Sequence, residues 1–424
     1  MRTKARSILI GLLCTVVVLS MFGGITIADE KPAKIGIVLP FTGNTGWVGL
    51  SLPALKMAVE DVNAAGGAAG HPISLIVTDT ETTTSGAVSG AKKVLGSGAI
   101  AIVGPTSLTI RSVMPIARDA GVVEISPTSG TTALDTQGGE YIFRTVSSDT
   151  VMGSGMVQKA RELGAETAAL FFNITEGAAS VRGVIRKGCQ VAGIDIVGEV
   201  EWTPGQASYR SELLSALKNS PDVVFFETGP KDGGVIFKQW RTLGVAPNAT
   251  WIGTDYVNEP LLKASWPDSK GAFGVLAGPL LTDRFKAWKD RLEEYRGKKG
   301  IPTFSTNGWD AMNIIALAIE AAGEPIKEGI KANVRKVANP PGVKVTTFAE
   351  GKEELAKGND IDYIGLAGAQ DFNKYGDVIT TLQVATFDNP DERSRITAYT
   401  QEDVGDIYKG VLELRKKERE EEEE

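Results

Sequence analysis

The chain has 424 residues, more than one hydrophobic core usually serves, so two lobes are expected. Its apolar and charged fractions are those of an ordinary globular protein, and a net charge of −7 excludes the basic footprint of a nucleic-acid-binding protein. Of its two cysteines, Cys14 lies in the leader, which leaves Cys189 without an intrachain disulfide partner and excludes a thiolate metal cluster.

Arg2, Lys4 and Arg6 precede an apolar stretch over 8–22 and small residues ending at Thr26-Ile27-Ala28. That is the layout of an export signal over residues 1–28. A retained anchor is the alternative, because 8–27 is nearly long enough to span a bilayer. Cys14 follows Leu12-Leu13 rather than small residues, which argues against lipidation.

Past the leader the chain repeats one pattern: a short apolar strand, a loop rich in Gly, Ser and Thr, then a helix. Ile35-Gly36-Ile37-Val38-Leu39 runs into Pro40-Phe41-Thr42-Gly43 and a Gly-rich loop that holds Trp47. A helix is expected over 51–65, with Leu55, Ala58, Val59 and Val62 at helical spacing and Gly66-Gly67 as its stop. Strands follow at 74–79, 99–103 and 122–125, separated by helices over 85–95 and 113–120, and 141–145 reads as a fifth strand with one exposed face. A second series then begins. Helices over 151–163, 177–192, 208–219 and 232–243 alternate with strands over 167–172, 194–200, 222–226 and 250–254. Later helices fall over 282–295, 306–322 and 326–337, with strand-like pieces at Ile361 and Val378. The charged run 415–424 reads as a solvated or frayed end. Such alternation argues for α/β architecture with parallel sheets, whose strand-end loops gather on one edge and expose helix N-termini suited to an anion.

The order and spacing of several short motifs carry a resemblance. Leu39-Pro40-Phe41-Thr42-Gly43, Ala58-Val59-Glu60-Asp61-Val62-Asn63-Ala64-Ala65-Gly66-Gly67, Ile102-Val103-Gly104-Pro105, Ile125-Ser126-Pro127 and Phe372-Asn373-Lys374-Tyr375-Gly376-Asp377 resemble type I periplasmic binding proteins for branched-chain amino acids, over roughly residues 34–390. The resemblance implies two Rossmann-like lobes with parallel central sheets, joined by three crossover strands and closing over a small ligand. It places the crossovers near 145–149, 273–278 and 341–347. The expected segments are 1–28 as signal peptide or anchor, 29–148 as a first lobe completed by 279–344, 149–278 as a second lobe completed by 345–395, and 396–424 as a charged tail.

By that resemblance the ligand carboxylate is met at Ser107 and at Thr128, Ser129 and Gly130. Helix capping is the competing reading for Ser107 and Thr128. Trp47 is expected to cover the ligand side chain or to pack in the hinge. Second-lobe contacts fall in Asn173-Ile174-Thr175-Glu176 and Glu227-Thr228-Gly229, where the family's usual tyrosines are absent, which speaks against an ordinary leucine-type pocket. Asp255, beside Tyr256, matches the acid that meets the ligand ammonium, with Glu176 and Glu227 as further candidates for that role. A surface loop is the competing reading for Asp255. Asp79 and Glu81 read as turn formers. Residues 371–377 alternate oxygen ligands but lack the bidentate Glu of a calcium loop, so they read as a turn.

Catalytic machinery is hard to find. The lone His71 sits between Gly70 and Pro72, and no Gly-x-Ser-x-Gly elbow, phosphate-binding Gly-Lys-Ser/Thr loop or dinucleotide fingerprint is present. The expected function is therefore an exported, non-enzymatic binding protein without a cofactor. It captures an amino acid or related small carboxylate and delivers it to an ABC permease, acting as a monomer without nucleic-acid partners. The alternatives are a ligand-sensing receptor of the same fold and, less favoured, a hydrolase using paired carboxylates.

Overall fold

The computed structural model describes residues 31–279, 281–391 and 393–423, so the export segment over 1–28 lies outside the described residues. From Pro32 onward the chain forms one compact unit. Its first sheet is all parallel, with strand order β2-β1-β3-β4-β5. The elements in chain order are β1 (Ala33–Leu39), α1 (Leu52–Ala64), β2 (Ile73–Asp79), α2 (Thr84–Gly96), β3 (Ala101–Val103), α3 (Ile110–Asp119), β4 (Val123–Ser126) and β5 (Ile142–Arg144). The chain then enters a second α/β layer: α4 (Asp149–Glu162), β6 (Thr167–Asn173), α5 (Glu176–Ala192), β7 (Asp195–Trp202), α6 (Arg210–Leu217), β8 (Val223–Glu227), α7 (Pro230–Leu243), β9 (Thr250–Gly253), α8 (Glu259–Ser265) and β10 (Phe273–Ala277).

It returns to the first lobe for α9 (Asp283–Arg296), α10 (Ser305–Ala322), α11 (Lys327–Ala338), β11 (Val343–Val345), α12 (Phe348–Ala356) and β12 (Ile361–Tyr363). It ends in the second lobe with β13 (Leu382–Phe387), β14 (Arg393–Tyr399) and α13 (Gly405–Glu423). The second sheet runs β7-β6-β8-β9-β10-β13-β14, with β13 and β14 antiparallel to their neighbours.

Both sheets are covered on two faces, which explains their near-continuous apolar strands. Along β1, Ile35, Ile37 and Leu39 enter the core formed with α1 and α10, while Val38 faces Val94 of α2. Gly36 is needed for the close seating of α2: a Cβ there would lie 2.6 Å from a methyl of Val94. Along β6, Ala168, Leu170 and Phe172 pack toward α4, α5 and α13, and Ala169 and Phe171 pack toward α6 and α7. Cys189 is buried in the α5 packing, and burial pushes its thiol up to about 12. Among the described residues no helix is long and apolar enough to cross a membrane.

Several expectations are corrected. The fifth strand has no exposed face: Ile142, Phe143 and Arg144 are all buried. The late turn lies along its free edge, with the Arg144 N–H donating to Gly376 C=O at 3.0 Å and the Phe143 and Phe372 rings 5.0 Å apart. The third passage between lobes does not fall at 341–347. That segment leads into β11, which pairs with β12, and Val345, Phe348, Ile361 and Tyr363 are buried in the first core. Residues 345–378 therefore complete the first lobe. Val378 is not in a strand, and the chain crosses just before β13 begins at Leu382.

The segment expected as a charged tail from 396 is not detached as far as Val411, whereas 416–421 at the end of α13 are exposed. Tyr399, Val404, Ile407 and Val411 are buried against α4 and α5, and charged residues on the other faces of α13 hide this short apolar stripe in the sequence.

The three passages lie side by side. The Ser147 Oγ accepts the Thr380 N–H at 2.7 Å, and the Gly278 N–H donates to Thr381 C=O at 3.1 Å. The Gln383 side chain donates to Pro279 C=O at 2.7 Å. Beside them Thr145 and Asn307 exchange two hydrogen bonds, at 2.8 and 2.7 Å.

Packing of α13 has a measurable consequence. Replacing the fully buried Ile407 by Ala should cost about 2–5 kcal/mol in urea unfolding, as truncation of a core residue does. A change within about 0.5 kcal/mol, typical of surface positions, would mean that α13 contributes no core.

Candidate functional site

A cavity of about 100 Å³ lies where the carboxyl ends of the two sheets face each other. Its lining comes from the loops after β1, β2, β3 and β4 on one side and after β6, β8 and β9 on the other. Both sheets reverse strand order at this edge, between β1 and β3 and between β6 and β8, and such switch points open crevices for ligands. The lobes touch across it. Trp47 and Tyr256 rings meet edge to face at 5.1 Å, and the Thr132 N–H donates to the Ser180 Oγ at 3.0 Å.

The first-lobe wall is hydroxylic. The Ser107 Oγ accepts the Thr131 N–H at 3.2 Å, so its own proton remains available to an acceptor in the cavity. Thr128 donates to Pro105 C=O at 3.3 Å. Neither residue caps a helix: Thr109 is the N-cap of α3, and Thr131 caps the short turn Thr132–Thr136. Arg144 fixes this loop from behind, donating to the carbonyls of Ser129, Gly130 and Thr131 at 3.3, 3.0 and 3.0 Å. Asp79 works as a turn former, accepting the Phe41 and Glu81 N–H groups at 2.8 Å each and so holding the loop that carries Trp47.

The second-lobe wall is acidic. Asp149, Glu227 and Asp255 all line the cavity and are 6%, 5% and 7% exposed. Burial, followed by repulsion from Asp255 and Asp149, pushes the Glu227 carboxyl up to about 8. Burial and the neighbouring Asp149 push Asp255 up to about 7. Burial raises Asp149 to about 6, against a hydrogen bond from Ser180 and the charge of Arg144. Glu227 receives a hydrogen bond from Thr254 Oγ1 at 3.1 Å, whereas the Asp149 Oδ2 is buried without a partner. Asp232 is already engaged, by the Tyr209 hydroxyl at 2.7 Å and the Gly205 N–H at 2.9 Å.

Of the ten residues picked from sequence, Trp47, Ser107, Thr128, Gly130, Thr175, Glu227, Asp255 and Tyr256 line the cavity. Ser129 and Glu176 do not. The Ser129 side chain is buried outside the lining, while its carbonyl serves Arg144. Glu176 opens α5 and lies 3.7 Å from Arg111, outside the lining although its neighbours Thr175 and Gly177 belong to it. Asp255 is not a surface loop residue, and Trp47 both packs and lines, its ring stacked at 6.0 Å on Phe304.

Sequence reasoning did not select Asp149 or Phe304 for the site. Asp149 follows Ser148 at the start of a helix, where an acid reads as a capping feature. Phe304 holds a left-handed backbone (φ +67°), unusual for an aromatic residue, and no local signal announces it.

The folded chain without ligand should lose stability as pH rises. Each of these acids is raised above its unfolded value near 4, so the folded state holds more protons between about pH 4 and 8. The stabilisation is complete below that window and gone above it. Melting temperature measured against pH on refolded, ligand-free protein checks this, and Glu227→Gln should flatten the upper part of the decline.

Comparison with known proteins gives a consistent picture. A family model described as periplasmic binding protein matches residues 32–357. A leucine-, isoleucine-, valine-, threonine- and alanine-binding protein of Pseudomonas aeruginosa is 24% identical, over 71% of this chain and 82% of that protein. BasB of Halobacterium salinarum, a substrate-binding protein of a chemotactic signal transduction system, is 23% identical over 80% of this chain and 83% of its own length. The solved structure of LivJ from Streptococcus pneumoniae, a branched-chain amino acid transporter substrate-binding protein in complex with isoleucine, shares the fold. Its TM-score is 0.73, with 20% identity, 87% of this chain and all (100%) of that chain covered.

Proposed function

The chain belongs to the periplasmic binding protein family, made up of extracytoplasmic solute-binding proteins rather than enzymes, and on that premise we propose that its solute is an α-amino acid held between the two lobes and passed to an ABC permease. The observation that carries the ligand class is the polarity of the cavity: hydroxyl and backbone donors on the first-lobe wall, carboxylates on the second. A ligand with a carboxylate and an ammonium is addressed from both sides at once. Its size fits as well, since about 100 Å³ holds several water-sized groups at ~10–15 Å³ each, the scale of a small solute and not of a peptide.

In this reading Ser107 and Gly130 meet the carboxylate, Thr128 lines the wall beside them with its hydroxyl given to Pro105 C=O, and Asp255 with Glu227 meets the ammonium. Trp47 and Tyr256 close over the bound molecule, with Thr175 at the rim of the cavity. The ligand favours the closed arrangement because only there do both of its charges find partners. Residues 1–28 supply export, and the protein acts as a monomer. A second reading, capture on behalf of a sensory transducer, is favoured by the likeness to BasB. Ligand transport by a reconstituted permease that depends on this protein would separate the two.

The test is a thermal-shift and calorimetric screen of refolded protein against α-amino acids, their keto-acid analogues and aromatic carboxylates. A ligand that binds only the folded state raises the melting temperature. Asp255→Ala should weaken α-amino acids about a hundredfold, as loss of a buried charge partner does, and amine-free carboxylates far less. Ser107→Ala should weaken both classes about tenfold. Equal losses for both classes in Asp255→Ala would remove Asp255 from the ammonium role, and a response to amine-free carboxylates alone would overturn the amino-acid reading.

A further inference from the structure

The cavity holds more acidic groups than one ammonium engages. Asp149, Glu227 and Asp255 face it, and no Lys or Arg side chain is among its lining residues. The nearby guanidinium of Arg144 is fully buried and already held between Asp135, at 2.6 Å, and Asp377, at 2.8 Å. A zwitterionic amino acid brings no net charge. Its ammonium would meet Asp255 and Glu227 while its own carboxylate turned to the Ser107 wall, leaving Asp149 without a cationic partner.

One group lies apart from the other two. The Asp149 side chain lines the cavity, and its Oδ2 is buried without a hydrogen-bond partner, Ser180 being the hydroxyl beside the carboxyl. A Cβ on Gly130 would lie 2.1 Å from the Asp149 Oδ1, so this carboxylate is pressed against the first-lobe loop rather than turned to solvent. Aromatic rings complete the surroundings. Trp47, Tyr256, Phe304 and Trp202 line the same space, and their faces attract a cation as well as an apolar chain. An apolar ligand side chain would satisfy the rings and leave the carboxylates bare, whereas a cationic one satisfies both.

We propose that this site takes an α-amino acid whose side chain carries a second positive charge, an ammonium or a guanidinium, with Asp149 as a partner of the added charge. The proposal rests on the amino-acid reading above and narrows it.

The deciding measurement is calorimetric titration of the refolded, ligand-free protein with L-lysine, L-arginine, L-norleucine and cadaverine at about pH 8, where the lysine side chain is still charged. Norleucine is lysine without the terminal ammonium, and cadaverine is lysine without the carboxylate. Lysine or arginine should bind at least about tenfold more tightly than norleucine, and Asp149→Asn should cut that ratio about tenfold. Norleucine binding as tightly as lysine and arginine, or more tightly, would overturn the dicationic proposal and leave the amino-acid reading standing. Preference for cadaverine over the amino acids would overturn the proposal by removing the carboxylate from it. Binding of neither amino-acid class would overturn both. The wild-type ratio decides the matter even if Asp149→Asn fails to fold.

Discussion

The Arg144 guanidinium is the point on which the rest of the structure turns. It sits at the end of β5, fully buried, between Asp135 and Asp377, and donates to three consecutive carbonyls of the loop 129–131. Such a cation is tolerable in a protein interior only when its partners are complete, and removal of one partner commonly costs several kcal/mol. Those partners come from distant parts of the chain. Asp135 belongs to the turn after the β4 loop, Asp377 to the final passage between lobes. Asp135 also accepts the Ser148 hydroxyl at 2.7 Å and the Thr150 hydroxyl at 3.1 Å, and it pairs with Arg415 of α13. Despite burial, which pushes the other way, Arg144 and Arg415 hold the Asp135 carboxyl below its ordinary range. One buried network thus shapes the hydroxylic wall of the cavity, the joint between lobes and the seat of the C-terminal helix.

The cavity lining is divided between the lobes by chemistry as well as by position. The first lobe offers donors, the second acceptors, and neither wall alone can satisfy a molecule with both charges. On the proposed amino-acid reading this division would couple occupancy to closure, since affinity for the two-walled state would exceed affinity for either wall. It also places three carboxyl groups, Asp149, Glu227 and Asp255, at 5–7% exposure in one wall. Sites kept ready for a ligand are commonly where a fold departs from its own stability optimum.

Much of this architecture was legible because its strands are short apolar runs and its helices carry plain stripes. Leu55, Ala58, Val59 and Val62 marked α1, and Val223-Val224-Phe225-Phe226 marked β8, since burial on both sheet faces leaves no alternation to misread. Legibility failed where partners are distant. Val343-Lys344-Val345 alternates like a strand, but only its pairing with β12 tells that it remains in the first lobe. In α13 the two buried residues Ile407 and Val411 are outnumbered by charges, so composition masked periodicity. At the site, the family resemblance pointed to Ser107, Glu227 and Asp255, all of which follow strands whose ends gather on one edge. It could not tell Thr128 and Gly130, which line the cavity, from Ser129 between them, because the facing of successive loop residues is decided by tertiary contacts such as those of Arg144.

The joint of three passages has a consequence for the entropy of capture. Because the last passage is bonded to each of the other two, through Ser147 and Thr380 and through Gly278 and Thr381, the segments cannot slide independently. Two lobes on a single flexible linker would explore many relative orientations, and bringing them together would forfeit that freedom. Lobes on three mutually bonded segments have few orientations to lose. More of the contact energy of a captured molecule then remains as affinity, and the walls arrive in register when they meet.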